Sequence, residues 1–205
     1  MRTSARVAAT LLTTALALAG TATAASADTG VVKDKASDVI QSELVLTDDG
    51  TDVDEKDSVL GYRDSIASGI DLRSMRASHG KKTVSVTLRF AELHRDAHAV
   101  IAFRVNGKAE PDRLFMSSNS RSGRIISDSD INKKICKVPV KTKTGAKGTM
   151  RVVIDRSCLA DPTRFKVALV SMTAKVTDTS ITTRIDVISP KNVRVPRWTK
   201  WLRSS

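Results

Sequence analysis

Aromatic side chains are scarce in this 205-residue chain, which has two Trp, one Tyr and four Phe. That scarcity excludes a broad stacking platform for sugar rings, and it leaves Val, Ile, Leu and Met to build the core. Cysteine is held to Cys136 and Cys158, too few for a zinc site made of thiolates alone. Beyond the N-terminus no apolar run approaches the roughly 20 residues that a membrane helix needs. There is no G-x-S-x-G elbow, no H-E-x-x-H pair and no Gly-rich phosphate loop. No enzymatic activity is therefore assigned, and no cofactor is implied.

The N-terminus has a pattern of its own. Arg2 and Arg6 precede an apolar run from Val7 to Ala19, and a small-residue tract ends in Ala25-Ser26-Ala27. A basic start, a short apolar stretch and an A-x-A site make a cleavable secretory signal. The expectation is that residues 1–27 are removed and that the product, beginning at Asp28, is secreted. With no twin-Arg pair and no Cys at the cleavage point, folded export and a lipid anchor are disfavoured. An even pair of cysteines in an oxidising compartment predicts a Cys136–Cys158 disulfide.

Positive charge dominates: 34 Lys and Arg face 22 Asp and Glu, for a net +12. Such an excess attracts polyanions, among them cell-wall polymers, anionic lipid and nucleic acid. Charge alone does not choose among them, and no specific nucleic acid is predicted.

Along the chain the dominant period is two. Val84, Val86, Leu88 and Phe90 alternate with Thr83, Ser85, Thr87 and Arg89, the mark of a strand with one buried face. Val100–Val105, Leu114–Met116, Arg124–Ile126, Ile135–Val140, Met150–Ile154, Phe165–Met172 and Ile181–Ile188 continue the series. Gly80-Lys81 and Asn106-Gly107 read as hairpin turns. The predicted fold is all-β, an antiparallel β-sandwich of jelly-roll or immunoglobulin-like type with one disulfide. It divides into a flexible arm at 28–42, the sandwich at 43–190 and a basic, Trp-containing tail at 191–205.

Two stretches carry a resemblance. Val152-Val153-Ile154-Asp155-Arg156-Ser157-Cys158-Leu159 with Pro162, and Ile70-Asp71-Leu72-Arg73-Ser74-Met75 leading into the strand at 82–90, resemble segments of small secreted proteins of high-GC Gram-positive bacteria. More distantly, the acidic Asp-Gly-Asp region followed by a hydrophobic-Asp-hydrophobic strand is similar to DOMON-like and family-9 carbohydrate-binding sandwiches. The resemblance implies a secreted sandwich and no particular activity.

Four constellations are candidates for chemistry. The acidic loop offers Asp48, Asp52 and Asp54 to calcium, but its spacing is not that of an EF-hand, and a solvated loop is the competing reading. His94 and His98 stand four apart, as zinc ligands do on a helix, although the local pattern here is strand and loop. Ser78-x-x-Lys81, Ser127-Asp128-Ser129 and Lys143-Thr144-Gly145 occur in the order of β-lactamase motifs. In those enzymes the serine opens a helix, whereas here it precedes a Gly turn, so the match is set aside. In the tail, Arg194, Arg197, Trp198, Lys200 and Trp201 mix cations with indoles, a composition suited to an anionic interface. The competing reading folds both Trp back over the sheet.

The resulting expectation is a non-enzymatic binding or structural module that meets anionic cell-wall polymer or a membrane surface through its tail. A carbohydrate- or small-ligand-binding sandwich, with or without calcium, is the alternative. On the first reading, deleting 191–205 weakens adsorption and leaves the fold intact.

Overall fold

Alternation of apolar and polar residues, with Gly, Asn and Asp at the turns, produces strands almost throughout the computed structural model. It describes residues 27–46, 53–117, 121–130, 132–191 and 194–204. The expected secretory signal, except Ala27, and Asp48 and Asp52 lie outside the described residues. Of Asp54 only the backbone is described.

In chain order the strands are β1 (Asp28–Lys33), β2 (Ile40–Leu46), β3 (Val53–Val59), β4 (Leu72–His79), β5 (Thr83–Phe90), β6 (Glu92–Leu93), β7 (His98–Val105) and β8 (Arg113–Ser117). They continue as β9 (Ser122–Ser127), β10 (Lys134–Lys143), β11 (Gly145–Ala146), β12 (Thr149–Asp155), β13 (Arg164–Val176), β14 (Ser180–Val187) and β15 (Leu202–Arg203). One short helix, α1 (Tyr62–Ala67), and a 3-10 turn at Arg156–Leu159 interrupt them.

All pairings are antiparallel. The main sheet runs β1-β4-β5-β12-β10-β9-β8-β7-β13-β14-β2-β3, with β15 added on β13 and a separate β6-β11 pair. It curls so that its inward residues meet: Val84, Val86 and Leu88 of β5, Ile101 and Phe103 of β7, and Val167 and Leu169 of β13 are all fully or almost fully buried. The aliphatic core anticipated from the scarcity of aromatics is present, with Phe103, Phe115 and Phe165 as its largest members. Asn106 (φ 51°) and Gly107 (φ 87°) turn the chain after β7, and β8 returns beside it. This is the turn that an Asn-Gly pair favours.

Cys136 in β10 and Cys158 in the 3-10 turn after β12 form the disulfide, with Cα atoms 5.9 Å apart. β10 and β12 are neighbours in the sheet, so the bond staples adjacent strands. A disulfide points to an oxidising environment. Among the described residues no helix is long and apolar enough to cross a membrane.

Three expectations need correction. The stretch 28–42 is not a loose arm: β1 pairs with β4 over six residues, and Val32 and Val39 are buried. The supposed acidic loop contributes Asp54, Glu55 and Asp57 to β3, an edge strand paired with β2. An edge exposed to water tolerates charges that a central strand does not.

The third correction concerns the tail, which is part of the fold. Thr199 and Leu202 are buried, β15 pairs with β13 at Phe165↔Leu202, and the Arg203 N–H donates to Asp28 of β1 at 3.0 Å. The tail thus fills the seam where the curled sheet brings β1 and β4 near β13. Gly30 makes room for it, because a Cβ there would lie 3.1 Å from Leu202 Cδ2 and 3.2 Å from Thr199 Cβ.

Candidate functional site

The outer face of β1, β4, β5, β12 and β10 is where unpaired positive charge collects. Alternation fixes which residues face out: as Val84, Val86 and Leu88 turn inward, Ser85, Thr87 and Arg89 turn to solvent. The register then lines up two rows across the strands. One runs Val31, Arg76, Thr87, Arg151, Lys141, and the next runs Lys33, Ser74, Arg89, Thr149, Lys143. Lys33, Arg76, Arg89, Lys141, Lys143 and Arg151 are all exposed. Neither row contains an acid. None of the six cations forms an ion pair among the described residues.

Neighbouring strands are about 4.8 Å apart and same-face residues along a strand about 7 Å apart. Six like charges therefore share an area little larger than a few phosphate groups. Like-charge crowding destabilises a bare surface, and an anion laid across it relieves that cost. Within the patch, Arg76 and Arg151 flank a cleft of about 430 Å³ lined by the hydroxyls of Thr29, Ser78, Ser85 and Thr87. Ser78 Oγ and Ser85 Oγ are 2.7 Å apart. Guanidinium forks with hydroxyl donors between them match the oxygens of a phosphate or carboxylate.

A second groove, of about 510 Å³, follows β1 on its other side. Lys33, Arg197, Trp198 and Lys200 line it. Three of the five tail residues singled out from the sequence thus border the same strand as the cationic rows. Lys200 is paired with Asp28 at 3.1 Å. The other two are engaged elsewhere: Arg194 is ion-paired with Asp57 at 2.5 Å, and Trp201 lies under Arg164 and Lys166, at 5.1 and 5.0 Å from its ring centre. Trp198 is covered by Arg104 at 4.2 Å. Both indoles fold back over the sheet and are held by cation–π contacts.

The remaining sequence candidates separate. Ser78 is on β4, and Ser127 and Ser129 bond each other at the end of β9, at 2.9 Å. His94 Nε2 is 3.3 Å from Glu92, whereas His98 Nδ1 faces the Ser117 carbonyl on the next strand. The two histidines share no helix. His94 instead borders a polar cleft with Asp96, Thr173, Gln41 and Arg184. That cleft has no aromatic wall on which a sugar ring would stack.

One grouping escaped the sequence reading. Asp34 and Asp38 flank the turn between β1 and β2, Asp71 precedes β4, and Asp186 lies near the end of β14. Asp38, Asp71 and Asp186 are buried. Asp186 Oδ2 accepts the Leu72 N–H at 2.6 Å, Asp34 Oδ1 accepts the Ser189 N–H at 2.5 Å, and Asp71 Oδ2 accepts from Arg73 at 3.0 Å. Burial, reinforced by the neighbouring carboxylates, pushes Asp34 up to about 8 and Asp186 to about 9. Burial and Asp71 push Asp38 to about 6. The signal that would have found them is an acid set inside apolar runs, Ile70-Asp71-Leu72 and Ile185-Asp186-Val187, where alternation turns Asp186 inward beside Ser171. No protein-family model, curated protein or solved structure matches the chain, so its function is argued from this geometry alone.

Proposed function

We propose that this chain is an exported, non-enzymatic binding module, built as a β-sandwich, that holds an anionic cell-envelope polymer on the outer face of β1, β4, β5, β12 and β10. The observation that carries the reading is the pair of acid-free cationic rows centred on Arg76 and Arg151. A polymer with repeating phosphates or carboxylates neutralises several of these charges at once. Arg197 extends the same positive field around β1, which keeps part of the tail in the site while Leu202 serves the core.

The test uses the secreted chain and its Arg76→Glu/Arg151→Glu variant, titrated with purified anionic cell-wall polymer and with a neutral glycan. Binding of the wild type should weaken steeply between about 0.1 and about 1 M salt, as the screening length falls from about 10 to about 3 Å. The double variant should bind at least tenfold more weakly at the lower salt and melt cooperatively. Equal binding by the two proteins, or binding indifferent to salt, refutes the proposal. Preference for the neutral glycan supports the carbohydrate-binding alternative instead.

A further inference from the structure

The buried carboxylates raise a question that the cationic face does not answer. One oxygen from each of Asp34, Asp38 and Asp186 lies within 4.8 Å of the other two. Three oxygens, Asp34 Oδ2, Asp38 Oδ1 and Asp186 Oδ1, are buried with no hydrogen-bond partner. Asp186 is 1% exposed and Asp38 5%. Among the described residues no Lys or Arg forms an ion pair with any of the three; Arg73 is paired with Asp71. Buried acids left in this state are costly, because each orphan oxygen loses water and gains nothing.

We infer that Asp34, Asp38 and Asp186 form a binding site for one calcium ion. Three features support it. The donors are all carboxylate oxygens, the hard ligands that calcium takes. Oxygens on one calcium sit about 2.3–2.6 Å from it, so two of them can be at most about 5 Å apart, and this trio meets that limit. A single proton bridges only two of these oxygens, whereas one divalent cation can be held by all three. The second oxygens of Asp186 and Asp34 accept the Leu72 and Ser189 N–H groups, bonds that aim these two side chains. The ion would join the β1–β2 turn to the end of β14, two places 148 or more residues apart in sequence and linked otherwise by backbone bonds such as Lys35 N–H to Ser189 O. Calcium thus enters at a different place from the acidic stretch 48–57, and it serves the frame rather than the polymer.

The test is calorimetry and thermal melting of the full secreted chain, first stripped with EDTA and then titrated with calcium chloride or magnesium chloride. Calcium should bind one to one and raise Tm by about 5–10 °C at a hundredfold excess over Kd; magnesium should do far less. Asp38→Asn and Asp186→Asn should each weaken calcium binding at least tenfold. Asp38→Asn, at the turn, should still melt cooperatively in EDTA, and it decides the case if Asp186→Asn does not fold. Absence of heat and of any Tm shift at millimolar calcium overturns the inference. So does an undiminished calcium response in Asp38→Asn, which would place the ion elsewhere, and so does an equal response to magnesium.

Discussion

Replacing Leu202 with Ala asks whether the last strand is structure or ornament. Leu202 is fully buried, stands opposite Phe165 of β13 and approaches β1 at Gly30. A core Leu→Ala change costs about 2–5 kcal/mol. For a protein of this size each kcal/mol lowers Tm by about 2–4 °C, so Leu202→Ala should melt about 4–20 °C lower. Removing 197–205 entirely should do worse. The Val167 N–H then loses the Thr199 hydroxyl, and His79 loses the Leu202 carbonyl at 3.1 Å. Each such buried bond is worth about 1 kcal/mol, and more when a partner is left unsatisfied. The assay is thermal unfolding followed by circular dichroism on oxidised protein, with Leu202→Met as the volume-conserving control. If Leu202→Ala shifts Tm by less than about 2 °C, or the shortened chain melts as sharply as the whole one, the tail is a dispensable appendage and the account of the seam is wrong.

Two further outcomes test other parts of the fold. The disulfide spans 22 residues, and Cys136→Ala/Cys158→Ala should lower stability in urea by roughly 3 kcal/mol through a less restricted unfolded chain; an unchanged midpoint contradicts this. Burial holds the His79 imidazole below its ordinary value, with the charge of Arg156 acting in the same sense and the Leu202 carbonyl, the Pro162 carbonyl and Asp28 against it. The unfolded chain therefore takes up the proton first. The stability contributed by neutral His79 is complete above about pH 6.5 and is lost as pH falls toward the folded-state value. The stability difference between wild type and His79→Gln should narrow from pH 7 to pH 5, and a constant difference in urea unfolding contradicts the assignment.

Strand positions were legible because alternation is local. Val84 to Phe90 reveals its buried face without knowledge of any partner, and the even cysteine pair announces its bond. Charge was legible only as a sum. That Arg76 of β4 and Arg151 of β12 flank one cleft depends on β12 lying beside β5, a pairing across 60 or more residues that no local pattern encodes. The tail misled because its composition fits two fates. Trp198 and Trp201 suit an interface, yet the fold buries Thr199 and Leu202, two residues three apart that follow no strand period and so left no local signal. The carboxylate trio was invisible for the same reason as the cleft: Asp34 and Asp186 meet only after the sheet has curled.

The meeting of Asp28 with Arg203 sets an order of events for a newly made polypeptide. Because Asp28 meets a residue 175 positions later in sequence, this seam cannot close until both segments are present. With so many partners distant in sequence, folding should be slow.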